Sequence, residues 1–136
     1  MVAVKVIDAN IILRFLTNDL PEQANQAASL LQKLEEGTER AWLPDLFLTD
    51  IIWVLEGYYQ QPRTQIREWI TTILSLPGLE FSNKEIALTA LDLYVENKID
   101  WSDAFTASQM LAGGIKEIIS FDQHFDRVKG VTRIEP

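Results

Sequence analysis

From its second residue the chain alternates short β-branched runs with longer stretches in which apolar residues return every three or four positions. Val2 to Ile7 is short and rich in β-branched side chains, which predicts a strand buried on both faces of a parallel sheet. Asn10 to Thr17 is nearly all apolar and predicts a buried helix. Pro21 can open the next helix, in which Ala24, Ala27, Ala28, Leu31 and Leu34 keep helical spacing until Gly37 stops it. Glu22, Gln26, Lys33 and Glu36 then form its solvated face. Ala41 to Leu43 predicts a brief strand. A helix follows Pro44 through about Gln60, and Pro62 starts another that runs to Ser75. Trp53, Trp69, Ile66, Ile70, Ile73 and Leu74 are expected in the core.

Pro77 and Gly78 make a turn before a short strand over Leu79 to Phe81. Ser82 with Glu85 three residues later has the form of a capping box, which predicts a helix from there to about Asn97. Ser102 can cap one more helix, ending at Gly113 and Gly114, after which Glu117 to Ser120 returns as a strand. A helical turn over Gln123 to Val128 and a last strand over Thr132 to Ile134 complete the chain. Strands alternating with helices imply an α/β fold whose parallel sheet is covered on both sides.

With 136 residues and 47% hydrophobic content, the chain is the size of one ordinary domain with a real core. Its net charge of −8 argues against gripping nucleic acid by general electrostatics, which draws on clustered Lys and Arg. A polyanionic substrate would need metal ions or a local basic patch. There is no cysteine, so disulfides and thiolate metal sites are excluded, and His124 is the one histidine. Lys5, Asp8, Asn10 and Arg14 interrupt the first apolar stretch, which does not read as a signal peptide. No segment approaches the roughly 20 apolar residues of a membrane span, so a soluble cytoplasmic protein is the expectation.

Four acids stand out. Asp8 falls where the first strand ends and the first helix begins, the kind of junction where open α/β folds place their chemistry. Asp50 sits among apolar neighbours in LFLTDIIWVLEGYY, and Asp103 and Asp122 fall beside predicted element boundaries. Each has an ordinary structural explanation: Asp8 as a helix cap, Asp103 as a first-turn acid favoured by the helix dipole, Asp122 as a turn residue, Asp50 as a solvated helix position. Taken together they suggest a carboxylate pocket. Mutual repulsion and burial would raise the pKa values of such a cluster, a conflict that a bound divalent cation removes.

The segments IDANIILRFLTNDLPEQ, LTDIIWVLEGYY, IDWSDAFTASQMLAGG and IISFDQHFDRVKGV, in this order over nearly the whole chain, resemble the signature segments of the PIN-domain family, especially its VapC-type toxins. The resemblance implies a three-layer α/β/α fold in one domain, 1–136, and a metal-dependent ribonuclease whose acids converge at one edge of the central parallel sheet. Carried over by position, Asp8 is the first acid, with Asn10 shaping the site. Asp103 is the third, and Asp122 the last, with Ser120 beside it. The second acid falls at Asp50, one methylene shorter than the usual Glu. Glu56 is its rival, but six residues place the two about 240° apart on a helix, so both cannot readily face one metal. Asp8 and Asp103 are the expected ligands of Mg²⁺ or Mn²⁺, with Asp50 and Asp122 completing the catalytic set and Asp100 as a substitute ligand.

Arg14 and Lys98 are candidate contacts to the RNA backbone, and His124 is read as part of the short turn after Asp122, with orienting RNA as its alternative role. The resemblance also implies a homodimer and a cognate antitoxin. Two other readings compete: a housekeeping PIN nuclease, and a catalytically impaired PIN-like binding module, kept open by the shortened acid at position 50. A phosphate-accepting aspartate fold lacks support, because Asp8-Ala9-Asn10 has no second acid of a DxD motif.

Overall fold

The computed structural model describes residues 2–136. The predicted alternation is present, with parallel strands flanked by helices in an α/β architecture. The chain divides into two units, one ending at Ser82 and the other spanning Asn83–Pro136.

The first unit contains β1 (Val4–Val6), α1 (Ala9–Thr17), α2 (Pro21–Glu36), β2 (Arg40–Trp42), α3 (Asp45–Gly57), α4 (Arg63–Leu74) and β3 (Leu79–Glu80). Its strands are parallel in the order β1-β2-β3, with Val4 opposite Arg40 and Ala41 opposite Leu79. Proline sets the helix starts: Pro21 is in the first turn of α2, and Pro44 and Pro62 occupy the N-cap positions of α3 and α4. Gly37 ends α2 in the left-handed conformation at φ 76°, a geometry that costs a residue with a Cβ more. The core takes Ile12 and Leu13 from α1, and Leu31 and Leu34 from α2. Leu48, Ile51, Ile52 and Leu55 form the buried stripe of α3.

Gly78 locks the end of α2 to the sheet. Its N–H donates to Leu34 O at 2.8 Å, and its carbonyl accepts from Ala41 N at 2.9 Å. A Cβ built there would stand 2.2 Å from Glu39 O and 2.9 Å from Leu34 O, so only glycine fits.

Some expectations about burial are overturned. Val4 and Val6 are exposed rather than buried on both faces, because β1 ends the strand order of its unit and has only β2 beside it. Ile11 and Phe15 of α1 are exposed while Ile12 and Leu13 turn inward. Trp53 is 55% exposed rather than core, because at about 100° per residue it lies across α3 from the buried stripe.

The second unit contains α5 (Lys84–Glu96), α6 (Trp101–Gly113), β4 (Glu117–Ile119), a 3-10 turn (Gln123–Arg127) and β5 (Thr132–Ile134). β4 and β5 pair in parallel with Glu117 opposite Thr132. Alanines at 87, 90, 104 and 107 are buried and let α5 and α6 approach closely. Trp101 stacks on Phe105 and meets Tyr94 edge-on. The Ser108 hydroxyl, 2% exposed, donates to Ile86 O at 2.7 Å, so this buried polar group is satisfied.

Both serine caps read from the sequence are corrected. Asn83, one residue later than Ser82, is the N-cap of α5 and accepts from Ile86 N at 3.1 Å. Ser82 Oγ instead donates to Asp45 Oδ1 at 2.6 Å. Asp100, not Ser102, holds the N-cap position of α6, which puts Ser102 inside the helix and Asp103 in its first turn.

Candidate functional site

Asp8 holds the N-cap position of α1 with extended backbone, φ −75° and ψ 147°. Its side chain makes no capping hydrogen bond, so the ordinary explanation for an acid at a helix start does not account for it. The residue is exposed and lines a cavity of about 260 Å³ together with Lys5, Glu39 and Arg40. Asn10 lines the adjoining cavity, with Arg14.

Asp50 is half-buried on α3. It lies across the helix from Leu48, Ile52 and Leu55, so the apolar residues that flank it in sequence point away from it in space. Glu56, its rival, has its carboxylate 3.3 Å from Arg63 Nε in an ion pair.

The second unit brings Asp103, Asp122, Asp100 and His124 into one electrostatic neighbourhood. The Asp103 carboxyl is pushed above the ordinary carboxylate range, first by its partial burial, then by the negative charges of Asp122 and Asp100 and a hydrogen bond with Asp122. His124 pulls in the opposite direction. Asp122 caps the 3-10 turn, accepting from His124 N at 2.9 Å, and His124 Nδ1 lies 3.3 Å from the same Oδ1. Ser120 Oγ accepts from Asp122 N at 2.9 Å, which fixes the backbone that carries the acid.

A two-way clasp holds the turn against the loop before α6. Arg127 Nη1 donates to Lys98 O at 2.9 Å, while Asn97 Nδ2 donates back to Arg127 O at 2.6 Å. Lys98 adopts a left-handed φ of 56° to present that carbonyl. Asp103, Asp122 and Asp100 bring carboxylate oxygens, the donor type a hard cation takes, into this neighbourhood, with His124 beside them. Among the described residues, no group of three His, Asp or Glu side chains is placed to hold a metal ion.

Sequence reading missed Gln23 and Gln26, the latter assigned to the plain solvated face of α2. Both line the cavity that contains Asn10 and Arg14, and Gln23 Oε1 accepts from Arg14 Nε at 3.0 Å. Their spacing from Ala27 and Leu30 on one helix held a signal, but the groove partner, α1, is visible only once the helices pack.

A sheet of parallel strands with acids at strand-to-helix junctions and at helix starts is the arrangement of a PIN domain, and the PIN domain family matches residues 5–131. The chain belongs to that family. It is also 24% identical, over 132 residues, to the VapC ribonuclease of Aquifex aeolicus (strain VF5), a similarity that covers 97% of this chain and 96% of that protein. The resemblance carried by the four motifs is thereby borne out. No helix of the described residues is long and apolar enough to cross a membrane.

Proposed function

We propose that this PIN protein is a metal-dependent ribonuclease acting as the toxin of a toxin-antitoxin pair, with residues 1–136 as one PIN-like domain. The observation that carries the reading is the gathering of Asp103, Asp122 and Asp100 in one neighbourhood, where Asp103 and Asp122 share a hydrogen bond. Family membership and the similarity to a VapC ribonuclease support RNA as substrate. Asp8 and Asp103 are the proposed ligands of Mg²⁺ or Mn²⁺, with Asp50 and Asp122 completing the catalytic set. When bound, such a cation polarises a scissile phosphate and lowers the pKa of an attacking water.

The chain's own residues do the orienting. His124 N and Ser120 hold Asp122 in place, and the Asn97–Arg127 clasp holds that turn to the start of α6. Asp8, with no capping bond, keeps its carboxylate available. The exposed Asn10 supplies a carboxamide next in line. The homodimer and a cognate antitoxin follow from the VapC-type reading.

The test is cleavage of structured and single-stranded RNA across a Mn²⁺ titration, with Asp8→Asn and Asp103→Asn as variants. Metal-dependent cleavage lost in both variants is expected. Absence of cleavage under all conditions, or variants as active as wild type, sinks the nuclease reading. Growth arrest on induced expression, relieved by a neighbouring small protein, separates a toxin from a housekeeping nuclease.

A further inference from the structure

The cavity that Asp8 lines and the one that Arg14 lines share two residues, Ile11 and Leu30. They form one groove in the first unit, running from the end of β1 along the seam between α1 and α2. The part beyond Asp8 has a volume of about 320 Å³. Its floor is Ile11, Ala27 and Leu30, and its walls carry Asn10, Gln23, Gln26 and the guanidinium of Arg14.

Charge is distributed unevenly along this groove. The first 82 residues hold six Lys and Arg against eleven Asp and Glu. Three of those six cations, Lys5, Arg14 and Arg40, line the groove, against two of the eleven acids, Asp8 and Glu39. Two of these cations also meet a carboxylate: Lys5 Nζ lies 3.7 Å from Glu39, and Arg40 pairs with Glu80. Arg14 is held in place by Gln23 at 3.0 Å and by Asp19 at 3.6 Å.

We propose that the groove binds one unpaired nucleotide of single-stranded RNA, next to the scissile phosphodiester, with Gln26 and Asn10 reading the base edge and Arg14 facing the phosphate. The chemistry fits each part. Carboxamides present a donor and an acceptor together, which is what a base edge requires, and an apolar floor accepts the face of an unstacked base. Arg14, whose carboxylate partner Asp19 stands 3.6 Å away, is the groove's cation for a phosphate, while Lys5 and Arg40 are engaged by Glu39 and Glu80. The proposal rests on the ribonuclease reading for its position beside the reacting phosphate, but not for the binding itself.

The experiment compares wild type, Gln26→Ala and Gln32→Ala, the last on the same helix but outside the groove. One arm maps cleavage sites in a randomised RNA with Mn²⁺; the other measures binding of a fluorescent single-stranded RNA in EDTA. Loss of one base hydrogen bond predicts about fivefold higher KM and Kd in Gln26→Ala, unchanged kcat, and a flattened base preference at one position flanking the cut. Gln32→Ala matches wild type. Both substitutions fall at exposed positions, and melting curves confirm that the fold is kept.

If wild type cleaves and Gln26→Ala keeps the same site profile and KM, the groove proposal falls while the nuclease reading stands. If wild type cleaves nothing but Gln26→Ala still weakens RNA binding, the reverse holds. Unchanged RNA binding together with weakened binding of a co-expressed partner protein assigns the groove to a protein and overturns the proposal.

Discussion

Replacing Gly78 by alanine adds a single methyl group at a place where nothing can yield. The new Cβ would meet Glu39 O at 2.2 Å and Leu34 O at 2.9 Å, whereas real Cβ atoms do not come within 3.0 Å of such neighbours. Both obstacles are backbone, so no rotamer change relieves the clash. The turn after α2 must therefore move by about 0.8 Å relative to β3, against hydrogen bonds of 2.8 and 2.9 Å that Gly78 itself makes. Overpacking of a well-filled site costs about 1–3 kcal/mol, and a rigid backbone obstacle belongs at the upper end. At about 4 °C per kcal/mol for a chain of this size, Gly78→Ala lowers Tm by about 12 °C.

The assay is thermal melting by circular dichroism, backed by urea titration. Gly57→Ala is the matched control, because a Cβ at that helical position meets nothing within 4 Å. That change gains about 0.5–1 kcal/mol from reduced chain entropy. A Gly78→Ala protein melting within about 3 °C of wild type would refute the reasoning. Displacing β2 also disturbs β1, which pairs with it and leads into Asp8, so residual RNA cleavage should fall along with stability.

Three further outcomes are expected. Asp103→Asn lowers cleavage by more than about 100-fold yet raises Tm of the metal-free protein at pH 7: a folded-state pKa above the unfolded value makes stability fall as pH rises through that window, and asparagine removes the loss, so the gain disappears below pH 3.8. Tyr59→Phe destabilises the protein at neutral pH but not in strong acid. The Tyr59 hydroxyl, 2.6 Å from Asp19, holds that carboxyl below its usual 3.8, so its stabilisation is present above the unfolded value and lost as pH falls through the folded one; a urea-midpoint difference independent of pH would contradict this. Asn83→Ala removes the cap of α5 and costs about 1 kcal/mol by urea titration, whereas Ser82→Ala leaves that cap intact.

The fold was legible because its punctuation is chemical. Pro21, Pro44, Pro62, Gly37 and Gly114 mark helix ends that the structure places within a residue or two of the expected positions. What misled was local reading of nonlocal facts. Asp50 has apolar sequence neighbours on both sides and is half-buried, although the helix turns Leu48, Ile52 and Leu55 to the far side. Trp53 looked like core by residue type and lies on the outer face for the same reason. Ser82 and Ser102 matched capping patterns, but the N-cap positions fall one residue later, at Asn83, whose side chain accepts from Ile86 N, and two residues earlier, at Asp100, whose side chain makes no capping bond. Among the candidate acids, the second unit brings Asp103, Asp122 and Asp100 into one neighbourhood, while the amides of the α1–α2 groove were invisible until two helices defined it.

The clasp between Asn97 and Arg127 sets unequal evolutionary latitude at adjacent positions. Two of its acceptors are main-chain carbonyls, so the side chain of Lys98 is not what the clasp uses; its left-handed backbone is. The clasp by itself lets position 98 drift in side-chain chemistry, toward glycine or asparagine most easily, as long as the handedness is kept. Positions 97 and 127 have the opposite freedom: ordinary backbone, but a carboxamide and a guanidinium that few other residues can replace. Among relatives of this chain, variation should be permissive at the residue between the two functional side chains and narrow at the two themselves.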